Sequence, residues 1–217
     1  MIFSPAPDTT LLLLVRHGAT TANEQKPYIL QGDSIDLPLS PNGEQQAQAV
    51  GNFLAQFPVK QVYCSTMLRA RQTAHEIARH HHLEIQPISG ITECAVGKWE
   101  GMDWASIEAQ YPEDCRRFLE NPAEVPYLGG ESYGDVQRRV MPILEQLLNQ
   151  HKGELITVVA HNVVNRVIIS QLLGLELKRA KELHQQNCCV NLIQKSSQGT
   201  TLLTMNSIFH LHKMPVI

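Results

Sequence analysis

Two arginines and two histidines in this chain follow segments that read as strands, each at or just beyond the place where a strand would end. Arg16 and His17 follow residues 11–15, Arg69 stands shortly beyond the run 61–65, and His161 follows residues 155–160. Glu93 lies on a loop after a further short run, 85–88. A neutral imidazole offers one ring nitrogen as a nucleophile while the other, protonated, is held by a hydrogen bond that selects the tautomer. A guanidinium donates two parallel hydrogen bonds to phosphate oxygens, and a carboxyl group can pass a proton to a leaving oxygen. Taken singly, a histidine at a strand end is a structural hydrogen-bonder and an arginine a surface charge. Gathered at one edge, four groups that are cationic or can become so would repel unless an anion lay among them. A phosphate dianion is such an anion, so the set suits phosphoryl transfer from a monoester.

Alternating strands and helices would do the gathering. Residues 11–15 are continuously apolar, as in a strand buried on both faces. Ser40 and Pro41 read as the N-cap and first residue of a helix reaching about Phe57. Residues 61–65 predict a second strand, 69–81 a helix, and 85–88 a short strand. Residues 90–101 read as loop and 104–120 as one or two short helices. Ser132 caps a helix over 133–150, residues 155–160 repeat the buried-strand pattern, and a helix over 163–173 stops at Gly174. Residues 189–194 and 200–205 suggest a closing hairpin, whose exposed edge leaves room for a homodimer. The class is α/β, a three-layer α/β/α sandwich with a mostly parallel mixed sheet. Ligands of such sheets bind beyond the carboxyl ends of the strands, which is where the arginines and histidines stand. No repeat or linker divides the sequence, so residues 1–217 are read as a single domain.

Composition narrows the partners. With a formal net charge of -3, the chain has no basic excess to recommend nucleic acid or an anionic membrane. The first ten residues carry no basic stretch, and the run 11–15 is too short for a signal core or a membrane span. Cys64, Cys94, Cys115, Cys188 and Cys189 form an odd set without CxxC spacing, so neither disulfides nor thiolate zinc sites are expected, and the cytoplasm is the simplest location. No HExxH, Walker loop or GxGxxG occurs, so no metal and no cofactor is implied. Consecutive helical residues point in different directions, so His80-His81-His82 reads as a solvated helix end. Arg138 and Arg139 read as a solvated pair, and Arg71 and Lys98 as minor candidates for a pocket rim.

The blocks around these residues resemble a known family. Leu14-Val15-Arg16-His17-Gly18-Ala19-Thr20 looks like the signature of the histidine phosphatase superfamily, in its phosphoglycerate-mutase-like branch. Residues 65–74, the loop 93–101, Gly129-Gly130-Glu131-Ser132 and the strand ending in His161 are similar to its remaining blocks, in the same order. The resemblance implies a phosphoglycerate-mutase-like fold, with His17 as nucleophile and Arg16, Arg69 and His161 as the phosphate pocket. It implies Glu93 as proton donor and a further phosphate contact at Asn23; Gly32 and Asn162 are also expected on the substrate side. Asn162 departs from the small residue usual there. It either touches substrate or caps the following helix, and capping is the favoured reading.

The reaction implied is hydrolysis of a small phosphomonoester through a phosphohistidine, as in family members acting on α-ribazole phosphate and sugar phosphates. A phosphoglycerate mutase is the first alternative. It would need a lid that excludes water, and the stretch from Ala74 to Glu93 is short for one. A non-catalytic phosphate-binding protein is the second, disfavoured because Arg16, His17, Arg69, Glu93 and His161 are all retained.

Overall fold

The computed structural model describes residues 4–211. Strands β1 (Thr10–Arg16), β2 (Val59–Ser65), β3 (Ile85–Ile88), β4 (Leu155–Ala160), β5 (Val190–Ser196) and β6 (Gly199–Ser207) make one sheet in the order β3-β2-β4-β1-β5-β6. The first four run parallel, while β5 is antiparallel to β1 and β6 to β5. Helices are α1 (Thr21–Glu24), α2 (Pro41–Leu54), α3 (Leu68–Ala78), α4 (Trp104–Gln110), α5 (Pro112–Glu120), α6 (Tyr133–Gln150) and α7 (Asn162–Leu172). The mixed sheet between two helical layers is the architecture the alternating pattern predicts.

β1 is buried along its whole length because both faces are covered. Leu12 and Leu14 pack with Val136, Val140 and Leu144 of α6 and Val164, Val167 and Ile168 of α7. Leu11, Leu13 and Val15 point the other way, against Val50 and Leu54 of α2 and Ala74 and Ile77 of α3. Each such side chain gains roughly 1.5–3 kcal/mol on burial, so the end of β1 is a rigid platform for Arg16 and His17.

Helix starts match the sequence closely. Ser40 Oγ accepts from the Gly43 amide with Pro41 at the first helical position, and Ser132 forms a reciprocal capping box with Asp135. α3 ends at Ala78, before the histidine run, and His82 takes a left-handed φ of 55°. His80 and His81 are part-buried in the turn that results, so a solvated helix end is the wrong description of them. Among the described residues, no group of His, Cys, Asp or Glu could hold a metal ion, and no helix is long and apolar enough to cross a membrane. All five cysteines are free and buried.

Candidate active site

Strand register assembles the site. β1 and β4 are parallel neighbours with Arg16 opposite Ala160, so His17 and His161 step off the two strands side by side. Their ring centroids lie 5.1 Å apart with the planes tilted by 56°. β2 flanks β4 on its other side, with Cys64 opposite Val159, and runs into α3, whose second residue is Arg69. All four side chains are withdrawn from solvent: Arg16 is 8%, His17 2%, Arg69 1% and His161 0% exposed.

Three of them are held by hydrogen bonds to different segments. His17 Nδ1 lies 2.7 Å from the Gly18 carbonyl oxygen. A carbonyl only accepts, so Nδ1 carries the proton and Nε2 keeps its lone pair. Arg16 Nη1 donates to the Gln185 carbonyl at 2.6 Å, and the Gln185 amide exchanges hydrogen bonds with Asn191. Arg69 donates to the carbonyls of Ile35 at 3.0 Å and Gly32 at 2.9 Å. Gly32 sits at φ 62°, where a Cβ would meet Val96 Cγ2 at 2.7 Å, so glycine is required to present that carbonyl. Arg16 Nε, Arg69 Nε and both ring nitrogens of His161 are buried without a hydrogen-bond partner. Unsatisfied polar atoms of this type cost about 1–3 kcal/mol each, and an anion among them would remove that cost.

The cluster's own residues favour neutral imidazoles. Burial first, then the charges of Arg69 and Arg16, hold the His17 pKa well below its ordinary value, against the opposing effect of the Gly18 hydrogen bond. Burial, then Arg69, His17 and Arg16, lower His161 in the same way. A histidine of the unfolded chain takes up a proton near pH 6.5, while these two in the folded protein do not. The unfolded state therefore binds more protons below about pH 6.5, and the ligand-free fold loses stability as pH falls through that region. Inorganic phosphate should oppose the loss, because an anion favours the imidazolium. In thermal melts, the Tm gap between pH 7.5 and pH 5.5 should narrow on adding phosphate and in His161→Gln. A gap that neither change alters would show that these imidazoles do not cause it.

Glu93 is 9% exposed and faces the N-terminus of α7. Its Oε2 accepts from the Asn162 amide at 3.0 Å and its Oε1 from the Val163 amide at 3.1 Å. Glu93 lines the same small cavity, 70 Å³, as Arg16, His17 and Arg69. A wider cavity of 390 Å³ is walled in part by Arg16, Asn23, Asn162 and Arg166.

The model of the histidine phosphatase superfamily (branch 1) matches residues 12–208. The chain belongs to this superfamily. Among its relatives, phosphoserine phosphatase 1 of Hydrogenobacter thermophilus is 33% identical over 92% of this chain and 93% of its own. A metal-independent phosphoserine phosphatase of Arabidopsis thaliana is 32% identical over 94% of this chain and 84% of its own. A phosphoserine phosphatase of Entamoeba histolytica, solved with phosphoserine bound, superposes with a TM-score of 0.83 at 27% identity, covering 93% of this chain and 99% of that one. This histidine phosphatase is accordingly a phosphoric monoester hydrolase.

Its fold brings Arg16, His17, Arg69 and Glu93 to one cavity wall with Asn23 and Gly32, while His161 is buried against the His17 ring and does not line that cavity. Asn23 also works locally, its Oδ1 accepting from the Thr20 amide and hydroxyl. Asn162 does not cap α7. It is the first helical residue, Glu93 supplies the cap, and the Asn162 side chain faces the cavity instead. The capping reading fails because a carboxylate from a distant loop takes the place a local side chain would fill.

Arg139 is not the solvated residue its pairing with Arg138 suggests. It forms a two-pronged ion pair with Glu131 and donates to the carbonyls of Gly90, Thr92 and Glu93. Glu131 in turn accepts from the Ala95 amide, so the pair braces the acid loop on both sides of Glu93. Arg139→Met should lower kcat by about 10- to 100-fold, the cost of misplacing a catalytic group, with KM little changed. Steady-state kinetics decides it, and an unaltered kcat would remove Arg139 from the positioning of Glu93. Arg71 and Lys98 line neither cavity. Gln185 and Arg166 do belong to the site and are missed in the sequence. Arg166, one helical turn beyond Asn162, could have been found by carrying the helix face forward.

Proposed function

We propose that this histidine phosphatase hydrolyses small phosphomonoesters in two in-line steps through a phosphohistidine on His17. The observation that carries the reading is the buried cluster of unsatisfied nitrogens on Arg16, Arg69 and His161 around an imidazole whose Nε2 is left as a nucleophile. In the first step, Nε2 attacks phosphorus, the ester P–O bond breaks, and the Glu93 carboxyl passes its proton to the departing alkoxide. Arg16, Arg69 and His161 neutralise the charge spread over the three equatorial oxygens. In the second step, water attacks phosphorus, the Glu93 carboxylate takes up a water proton, and the N–P bond breaks to release phosphate. No metal enters either step.

Hydrolysis is favoured over mutase transfer because the chain between α3 and Glu93 holds only β3 and one short 3-10 turn, with no insertion to cover His17. O-phosphoserine is the first substrate to try, given the relatives' activities. The decisive test incubates the protein with ³²P-labelled phosphoserine in EDTA and quenches in alkali. Label that is stable to alkali, labile to acid and carried by His17, with phosphate release and no transfer to added glycerate, is the expected result. Turnover without labelled protein, or label on another residue, would reject the mechanism. Transfer to glycerate exceeding release would favour the mutase.

A further inference from the structure

β5 carries a polar residue where the sheet interior calls for an apolar one. Asn191 lies opposite Leu14 of β1 and is wholly buried. A carboxamide in such a place is costly unless its hydrogen bonds are made, and here all of them are. Its Nδ2 donates to the Leu14 carbonyl at 2.9 Å and to Gln185 Oε1 at 2.8 Å. Its Oδ1 accepts from Gln185 Nε2 at 3.0 Å and from the Asn206 amide at 2.8 Å. Two donated and two accepted bonds are the full capacity of the group.

The network ends on Arg16. Among the described residues, the Arg16 guanidinium donates to one protein acceptor, the Gln185 carbonyl at 2.6 Å. Gln185 lies in the segment 183–189, where no helix or strand fixes the backbone. Its side chain does so instead. Besides the pair of bonds to Asn191, Gln185 Oε1 accepts from Asn165 Nδ2 of α7 at 3.3 Å. Asn206 of β6, at a left-handed φ of 51° that asparagine tolerates, accepts from the neighbouring Gln186 amide at 2.8 Å. The carbonyl that orients Arg16 is thus fixed from β1, β5, β6 and α7 through buried carboxamides.

Resting on the assignment of Arg16 to the phosphate pocket, we propose that Asn191 is a positioning residue for the reaction: through Gln185 it aims the Arg16 guanidinium at the transferring phosphoryl group. Asn191 lines neither cavity and so acts at one remove. A guanidinium stabilises the transition state only when it already points where charge develops, and a displacement of about 1 Å can cost about 10²-fold in rate.

A double-mutant cycle with Arg16 tests the assignment, because an effect that passes through Arg16 needs Arg16 present. Asn191→Leu should lower kcat/KM for p-nitrophenyl phosphate by about 10- to 100-fold, the cost of misplacing that group. Placed on Arg16→Ala, the same change should cost less than about 2-fold. Gln185→Met keeps the carbonyl and removes only the side-chain bonds, so it should repeat the pattern, and it serves if Asn191→Leu does not fold. The segment 183–189 also holds the His17 carbonyl, through Asn187 Nδ2 at 3.0 Å and the Cys188 amide at 3.2 Å. A mere loosening of that segment would therefore slow both backgrounds alike. Equal losses in the two backgrounds, or no loss in either, would overturn the assignment. Calorimetric titration with inorganic phosphate reads the same cycle without turnover and should show the same coupling. Neither readout depends on which atom attacks phosphorus, so a failed phosphohistidine test leaves the cycle intact. Arg16→Ala binding phosphate as tightly as wild type would instead remove Arg16 from the pocket, and the assignment with it.

Discussion

His17→Ala should abolish phosphomonoester hydrolysis, lowering kcat by about 10⁴-fold or more, the scale on which enzymes lose rate when a covalent nucleophile is removed. The structure argues for a loss in kcat rather than in binding. Arg16 and Arg69 are held by contacts that do not involve the His17 ring: the Gln185 carbonyl for one, the carbonyls of Gly32 and Ile35 for the other. Alanine leaves that cradle in place and opens a small space in its floor. Phosphate should therefore still bind, and the fold should not suffer, because one of two crowded imidazoles has gone. Phosphate release in EDTA, together with equilibrium binding of phosphate, tests both halves. A variant keeping a tenth of the wild-type rate would mean that another group, or water itself, attacks phosphorus.

The parts of this site that can be read in the sequence are those fixed by strand ends. Residues 11–15 are apolar throughout, and 155–160 are so but for the buried Thr157, because both sheet faces are covered, so His17 and His161, just past those runs, fall at the carboxyl edge of adjacent parallel strands. Ser40 and Ser132 announce their helices because capping is a local bond between residues three apart. Contacts made across the fold leave no such mark. Glu93 caps α7 from 69 residues away, and Gln185 anchors Arg16 from a separation of 169. Arg139 looks like half of a surface pair until α6 is packed beside the loop at residues 90–93, where one guanidinium meets three carbonyls and a carboxylate. All three contacts concern polar side chains whose partners are supplied by tertiary structure alone.

Glu93→Gln carries the second large effect, and its pattern matters more than its size. An alkoxide such as that of serine leaves only if it is protonated, so turnover of phosphoserine should fall by about 10²–10⁴-fold, the usual worth of general acid–base help. A nitrophenolate leaves without a proton, and its departure should be nearly unaffected. Hydrolysis of the phosphohistidine still needs a base for the attacking water, so with p-nitrophenyl phosphate the variant should show a burst of one nitrophenol per protein, then slow release. The labelled intermediate should accumulate at the same time. Structure sets the control. Both Glu93 oxygens accept from α7, and glutamine can replace only one of them, leaving one amide of Asn162 or Val163 unpaired at a cost of about 1 kcal/mol. A modest fall in Tm should thus accompany the kinetic change, and Glu93→Ala, which removes the cap entirely, should fall further. Equal slowing of the two esters in the first step, with no burst, would show that Glu93 acts on the enzyme only as a helix cap and that the proton comes from elsewhere.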